Sequence, residues 1–384
     1  MHVLILGARA PACLEWAHAF AASGWTVSVG DSLAWPLARS SRAVHNFIRL
    51  PEPRGNPQAW VDALAERIRQ DAIDLLLPTC EEVFYLAHGL PQLTPLCRVL
   101  TSDFELLHRL HHKGRFAEMT HGWQVAAPET RLLQRHEDCL ALAGESRDWV
   151  FKPAYSRFAS RTLIRPDPST VRTLRPTPEQ PWVAQRFVAG DEHCSFSLLI
   201  NGQLRAHACY RPLYRVGRGS GIYFQPAQPA AVRAFVEAFG QATGYSGQVG
   251  FDFIADAEGD FHVLECNPRA TSGIHLFDDQ PTALVSTLST TGEPLLPSPT
   301  PRMVALAMLL IGAPRHLVSR TFWSDYRAAR DVILRDGDLG PLAAQLLGVG
   351  EIAMRALMRR RGLLAASTAD IEWDGQPLDG APNP

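Results

Sequence analysis

Apolar positions open the chain with a regular beat. Residues 3–6 form an unbroken apolar run that ends at Gly7. Residues 11–23 space their apolar side chains at helical intervals and stop at Gly24, and residues 25–29 are apolar again and end at Gly30-Asp31. Strand, helix and strand in that order make a βαβ unit, which predicts a parallel sheet. Residues 57–70 predict another helix and residues 73–77 another buried strand. Pro78-Thr79-Cys80-Glu81-Glu82 then stands at the carboxyl end of that strand, where open α/β sheets hold ligands. Glu81 and Glu82 could hold a substrate amine there, or serve only as the acids that favour a helix N-terminus.

This first unit is expected to cover residues 1–108 as a Rossmann-like sheet. Its first turn reads Gly7-Ala8-Arg9-Ala10-Pro11-Ala12, which lacks the G-x-G-x-x-G fingerprint. Asp31 could imitate a ribose-binding acid, but a single glycine does not make a dinucleotide site.

Further along, short strands and hairpins alternate with helices. Asn201-Gly202 predicts a hairpin turn, because both residues accept the positive φ that a type I′ turn requires. From residue 294 a Pro-Ser-Pro-Thr-Pro stretch leads into a mostly helical region that runs to residue 384. Its basic run, Arg359-Arg360-Arg361, reads as a solvated helix end.

The chemistry concentrates between residues 248 and 269. Residues 248–255 alternate, with Val249, Phe251 and Phe253 on one face and Asp252 on the other. Residues 261–267 form the return strand, on which Glu265 and Asn267 share a face. A turn centred between Glu258 and Gly259 sets Asp252 directly opposite Glu265. Opposed carboxylates repel, and a cation removes the conflict. Asp252, Glu265 and Asn267 offer hard oxygen donors of the kind Mg²⁺ takes. Arg269 adds a fixed cation beside them, as an anion clamp requires.

The chain holds two lysines, Lys113 and Lys152, among thirty-seven basic residues. Lys152 ends an apolar strand, where its ammonium suits a phosphate. Residues 182–188 form another apolar strand and lead to Gly190-Asp191-Glu192, whose acids could accept bonds from a ribose.

Together, Lys113, Phe151-Lys152-Pro153, Gln185 through Glu192, and Asp252 with Glu265-Cys266-Asn267-Pro268-Arg269 resemble the ATP-grasp superfamily of the carboxylate-amine ligase type, over residues 1–292. The resemblance implies an α/β protein, α+β in its ATP-grasp part. A Rossmann-like domain would occupy 1–108. A two-lobed ATP-grasp domain would occupy 109–293, with lobes of about 109–188 and 189–293. A mostly helical C-terminal extension would occupy 294–384. It implies that ATP binds between the lobes, with Lys113 and Lys152 on its phosphates. Gln185 and the backbone of Arg186, Phe187 and Val188 would meet the adenine, and Glu192 the ribose. Asp252, Glu265 and Asn267 would hold Mg²⁺ (or Mn²⁺), and Arg269 would face the acyl phosphate. Lys152 and Arg269 are thereby the catalytic candidates.

One segment departs from the family. The loop after Lys152 reads Ala154-Tyr155-Ser156-Arg157-Phe158-Ala159-Ser160-Arg161, without the expected glycines. The serines and arginines would have to cover the phosphates. A second loop, residues 214–221, offers Arg215, Arg218 and Ser220 to an anionic substrate among glycines that permit closure.

Composition narrows the class. A formal net charge of -2, with 20% charged residues, gives no bulk attraction for nucleic acid or an anionic membrane. Seven scattered cysteines without a C-x-x-C pair argue against a disulfide framework or zinc site, and for reduced thiols in the cytoplasm. The expected reaction joins a small-molecule carboxylate to an amine through an acyl phosphate, with release of ADP. The alternatives are a carboxylase-like or carbamoyl-phosphate-synthase-like use of another nucleophile, or a nucleotide-binding module without turnover. A homodimer is possible through the C-terminal region.

Overall fold

The computed structural model describes residues 1–156, 161–216, 219–360 and 362–378. The first sheet contains β1 (His2–Leu6), β2 (Thr26–Asp31), β3 (Asn46–Arg49), β4 (Leu75–Leu77) and β5 (Arg98–Val99). All pairings are parallel, in the order β3-β2-β1-β4-β5. The helix Pro11–Ala22 crosses from β1 to β2, as the apolar beat predicts. The helix Pro57–Gln70 starts where Asn56 accepts a hydrogen bond from the Ala59 amide at 3.0 Å and Pro57 presets φ. It buries Trp60, Val61, Leu64, Ala65 and Ile68 at helical spacing against the sheet. Two short edge strands, β3 and β5, went unseen in the sequence, because few of their residues alternate or bury an apolar side chain.

A four-stranded antiparallel sheet follows, built of β6 (Thr130–Leu133), β7 (Trp149–Pro153), β8 (Leu163–Ile164) and β9 (Trp182–Arg186), in the order β6-β9-β7-β8. The next strands are β10 (Asp191–Ile200), β11 (Gln203–Pro212), the ribbon β12 (Arg215–Val216) with β13 (Ser220–Gly221), β14 (Tyr223–Ala227), β15 (Gly247–Ala255) and β16 (Phe261–Asn267). The C-terminal region adds β17 (Arg302–Met303) and β18 (Arg330–Asp331). These form a seven-stranded sheet in the order β16-β15-β10-β11-β14-β17-β18, with the β12–β13 ribbon separate. The region after residue 294 is therefore woven into this sheet as well as carrying helices.

The β10–β11 turn is the predicted one, with φ of 50° at Asn201 and 75° at Gly202. Space also demands this glycine: a Cβ at Gly202 would stand 2.5 Å from the Gly240 carbonyl oxygen.

Buried side-chain amides join the first sheet to the large one. Trp16 Nε1 donates to Gln248 Oε1 at 2.7 Å, and Gln248 Nε2 donates to the Pro78 carbonyl at 2.7 Å. This pins the loop after β4 against β15 and brings Glu81 toward the β15–β16 hairpin.

At the carboxyl end of β2, Asp31 does not wait for a ribose. Its carboxylate takes the Arg9 guanidinium at 2.6 Å and the Arg9 backbone amide at 2.9 Å. The same guanidinium reaches Asp370 at 2.7 Å, so the C-terminal segment closes over the carboxyl ends of β1 and β2. Among the described residues no helix is long and apolar enough to cross a membrane, and none of the seven cysteines forms a disulfide.

One buried histidine makes stability depend on pH. His207 in β11 sits with Nδ1 2.9 Å from Ser197 Oγ, and burial, reinforced by Arg233, pushes its pKa down to about 4. The unfolded value is about 6.5, so the fold requires the neutral ring. The contribution is complete above pH ~6.5 and is lost as pH falls toward ~4. The gap is worth about 3 kcal/mol. His108 and His112 are displaced the same way, also to about 4. Urea-unfolding midpoints should therefore drop between pH 6.5 and 4, and His207→Gln should flatten that slope. An unchanged slope in the variant would show that His207 does not titrate with folding.

Candidate functional site

The β15–β16 hairpin is the base of the site. Asp252 pairs with Glu265 across it, as expected, but the route differs. The turn holds three residues rather than two: the Asp256 amide donates to the Asp260 carbonyl at 3.0 Å, and Gly259 adopts φ of 88°. That alone would pair Asp252 with Leu264. A β-bulge between Asp252 and Phe253 inserts Leu264 as the extra residue and restores Glu265 to the opposing position. The Leu264 carbonyl, freed from the ladder, accepts from Lys152 Nζ and Gln185 Nε2, both at 3.4 Å.

Glu265 lies between the two lysines. Its Oε2 is 3.4 Å from Lys113 Nζ and 3.7 Å from Lys152 Nζ. Lys113 opens the helix Lys113–Met119 and donates to the Ser156 carbonyl at 3.1 Å, at the start of the loop after β7. Lys152 projects from β7 and donates to Gln185 Oε1 at 3.1 Å. Gln185, on the neighbouring strand β9, is buried and also donates to Thr130 Oγ1 at 3.2 Å. Its side chain is thus spent on positioning Lys152.

The two carboxyls have opposite electrostatics. Burial and the charge of Glu265 push the Asp252 carboxyl up. Burial acts the same way on Glu265, but Lys113 and Lys152 outweigh it and hold that carboxyl down. Lys152 is itself lowered by burial, against the pull of Glu265. Asn267 Nδ2 donates to Asp252 Oδ2 at 3.3 Å, and Asn267 Oδ1 accepts from Arg269 at 3.2 Å. Two carboxylates and an amide oxygen on successive facing positions fit a hard divalent cation by donor chemistry. Arg269 also approaches Glu81 Oε1 at 3.5 Å. Glu82 instead turns into its own loop, where Oε1 accepts from the Thr79 and Cys80 amides at 3.0 and 2.9 Å. Of the two acids, Glu81 is the one that reaches the hairpin.

A cavity of about 360 Å³ lies between the four-stranded and seven-stranded sheets and gathers most of the expected residues: Lys152, Arg186, Phe187, Val188, Glu192, Arg215, Asp252, Glu265, Asn267 and Arg269. The backbone amides of Arg186 and Phe187 already donate, to the Glu129 and Asp148 carbonyls at 2.7 and 2.9 Å. Glu192 pairs with Arg215 at the mouth. Arg218 and Ser160 lie outside the described residues, as do Arg157 and the side chain of Ser220. Ser156 lines the cavity, whereas Arg161 stacks over Trp182, 5.2 Å from the ring centre.

The sequence reasoning missed Cys194 and Tyr210. In register, Tyr210 faces Cys194, Cys194 faces Asp252 and Asp252 faces Glu265, a row across four strands. Burial and the neighbouring Asp252 carboxyl push the Cys194 thiol up, and burial pushes the Tyr210 hydroxyl up.

With this geometry established, comparison with known proteins places the chain. Residues 115–273 match a family model described as an ATP-grasp domain. No curated protein matches the sequence. Among solved structures, N5-carboxyaminoimidazole synthetase from Staphylococcus aureus aligns over 83% of this chain and 86% of its own, at 13% identity and a TM-score of 0.61. Biotin carboxylase from Campylobacter jejuni aligns over 76% and 72%, at 14% identity and 0.59. L-amino acid ligase from Bacillus licheniformis aligns over 71% and 68%, at 14% identity and 0.55. At such identities the likeness is one of fold. Sequence match and fold agree: residues 115–273 match an ATP-grasp domain, and the chain shares its fold with these structures.

Proposed function

We propose that this protein is an ATP- and Mg²⁺-dependent ligase that activates a carboxylate as an acyl phosphate and couples it to an amine. The observation that carries this reading is that Lys152, the facing Asp252–Glu265 pair, Asn267 and Arg269 line one inter-sheet cavity, with Lys113 held against Glu265. In this reading residues 1–108, 109–293 and 294–384 act as supporting domain, ATP-grasp domain and extension.

Lys113 and Lys152 neutralise phosphate oxygens, and Gln185 keeps Lys152 aimed. The backbone of Arg186, Phe187 and Val188 borders the adenine. Glu192 receives the ribose, which replaces Arg215 as its partner and releases that guanidinium toward an anion. Mg²⁺ bound by Asp252, Glu265 and Asn267 would neutralise charge on the transferring phosphoryl group. A substrate carboxylate oxygen bonds to the γ-phosphorus as the bond to ADP breaks. Arg269 stabilises the resulting acyl phosphate. The amine then bonds to the acyl carbon, phosphate leaves, and the amine proton passes to solvent. Glu81 would hold that amine, and Arg215, with Arg218 and Ser220 from the same loop sequence, would meet an anionic group. Positioning and electrostatics supply the catalysis, and no covalent enzyme intermediate is required.

The similar structures are named for both amino-acid ligation and biotin carboxylation, so the nucleophile is the open variable. The test is ADP release from ATP and Mg²⁺ with panels of carboxylic acids, alone, with pooled amines, and with bicarbonate. Release that requires both acid and amine supports the ligase. Release with bicarbonate and no amine would replace it with a carboxylase-like reaction. Nucleotide binding without turnover across the panels would make the chain a binding module.

A further inference from the structure

Lys113 is held from outside the inter-sheet cavity. Two carbonyls of the chain after β7 grip it: its amide donates to the Ala154 carbonyl at 3.1 Å, and its Nζ donates to the Ser156 carbonyl at 3.1 Å. Tyr155 stands between those two carbonyls. Lys152 and Ser156 line the inter-sheet cavity, whereas Tyr155 lines a second cavity, of about 890 Å³, together with His108, His112 and Gly375. Its ring is gripped there. The rings of His108, His111, His112 and Trp373 lie 5.8, 5.6, 5.1 and 5.5 Å from it, centre to centre, and Tyr155 Oη is 2.5 Å from His108 Nε2. Gly375 packs against one ring edge: a Cβ there would stand 2.4 Å from Tyr155 Cε2, and its φ of 91° also calls for glycine. The turn that carries Gly375 is self-braced. Trp373 Nε1 donates to the Gln376 carbonyl at 2.8 Å, and Gln376 Oε1 accepts from the Asp374 amide at 3.0 Å. Trp373, itself buried, anchors this turn against Phe84 and Phe104.

We infer that Tyr155 is a positioning residue for Lys113, and that the C-terminal turn, residues 373–376, holds it in that role. The inference rests on the reading that Lys113 meets the nucleotide phosphates. A lysine is a point charge on a flexible four-carbon stem. Glu265, 3.4 Å away, gives the Lys113 ammonium one anchor. The Ser156 carbonyl gives it a second, neutral one, and the Ala154 carbonyl fixes where the residue leaves the backbone. The two carbonyls flank residue 155, so a shift of Tyr155 displaces both. The segment from Ala154 to Arg161 contains no glycine, and the grip on Tyr155 sets the course of the chain at its start. A ring that only filled space would stabilise the fold and leave the lysine indifferent to it. A ring that fixes both acceptors makes the contribution of Lys113 to phosphate binding depend on it. Through that ring the end of the chain acts on a site it does not line.

The test is a double-mutant cycle read as the ATP affinity of the full chain, by titration calorimetry without Mg²⁺. Lys113→Met should weaken binding about thirtyfold, the loss of one charge-assisted contact. Tyr155→Leu should weaken it about tenfold in the parent chain and not at all in Lys113→Met, because the lysine it positions is gone. Gly375→Val, whose side chain drives into the ring, should behave as Tyr155→Leu does, and Tyr155→Phe, which keeps the ring, should retain most of the affinity. If Tyr155→Leu fails to fold by circular dichroism, Gly375→Val takes its place in the cycle. Unchanged affinity in the folded variants, or an equal loss in both backgrounds, would overturn the inference and leave the proposed function standing. A Lys113→Met chain that binds ATP as tightly as the parent would overturn the inference from the other side, by removing Lys113 from the phosphates in the proposed function.

Discussion

Asp252→Asn combined with Glu265→Gln is expected to lower Mg²⁺-dependent ATP turnover by about a thousandfold, equivalent to about 4 kcal/mol of transition-state stabilisation. It should also abolish the tightening of ATP binding by Mg²⁺. The two carboxyls face each other across the hairpin, and only Glu265 has cationic neighbours at salt-bridge distance among the described residues. Asp252 carries the charge that burial penalises most and that a cation would relieve. The double change removes both charges while preserving shape and hydrogen-bonding capacity. Glu265→Gln alone is a different experiment. It leaves two ammonium groups facing a neutral amide in a buried setting, so part of its effect is repulsion between Lys113 and Lys152. Circular dichroism and Mg²⁺-free nucleotide binding separate loss of fold from loss of metal. Full Mg²⁺-dependent turnover in a folded double variant would remove these residues from the metal site.

The hairpin also shows what a sequence can and cannot reveal. The alternation of apolar residues over 248–255 marked β15 and its faces, because one face is packed: Val249, Phe251 and Phe253 are buried together. The pairing of Asp252 with Glu265 came out correctly from an idealised two-residue turn, yet two irregularities cancel to produce it. The three-residue turn shifts the register one way and the bulge at Leu264 shifts it back. Neither leaves a clear mark in the hydrophobic pattern, since Leu264 is apolar like Val263 before it. The same blindness hid Cys194 and Tyr210. An ideal ladder from the Asn201-Gly202 turn would pair Cys194 with Cys209, but a bulge between Leu198 and Leu199 moves Tyr210 into that place.

Buried helices and strands with a strong apolar face were legible to within a residue or two. Pro11–Ala22 and Pro57–Gln70 are examples, with Pro at the first turn and Gly24 beyond the end of the first. Long-range closure was not legible. Nothing local in Ser367 or Asp370 announces that they meet Arg9, more than 350 residues away in the chain, and Arg9 itself reads as a surface turn residue. A side chain's partner across the fold depends on the assembled sheet, not on its neighbours in sequence. The same limit applies to Gln185. Its place on an apolar strand was readable, but its bond to Lys152 required the β7–β9 register, in which Lys152 lies opposite Val183.

Arg9→Met is expected to be among the most destabilising single substitutions in the chain, by about 3–5 kcal/mol. The guanidinium is buried and forks onto two buried carboxylates, Asp31 and Asp370, and it also donates to Ser32 Oγ and the Ser367 carbonyl at 2.8 Å each. Removing it leaves two carboxylates facing each other away from water. It also frees the Asp370 carboxyl, which the Arg9 contacts hold down at about 2 against burial. The melting temperature should fall on the order of 10 °C, and the C-terminal segment should become cleavable by protease before the rest. Arg9→Lys should lie between, because an ammonium keeps the charge but cannot fork onto both acids. Adding Asp31→Asn and Asp370→Asn to Arg9→Met should recover part of the loss, because removing both signs costs less than stranding one. A triple variant no more stable than Arg9→Met would instead assign the loss to packing of the Arg9 side chain. A melting temperature unchanged in Arg9→Met would mean that the C-terminal segment docks through its other contacts, Trp373 among its aromatic neighbours and the Arg54–Asp374 and Arg355–Asp370 pairs. Because the clasp fills the carboxyl ends of β1 and β2, its integrity also decides whether that edge of the first sheet is closed to ligands, which leaves Glu81, beyond β4, as the part of this sheet facing the site.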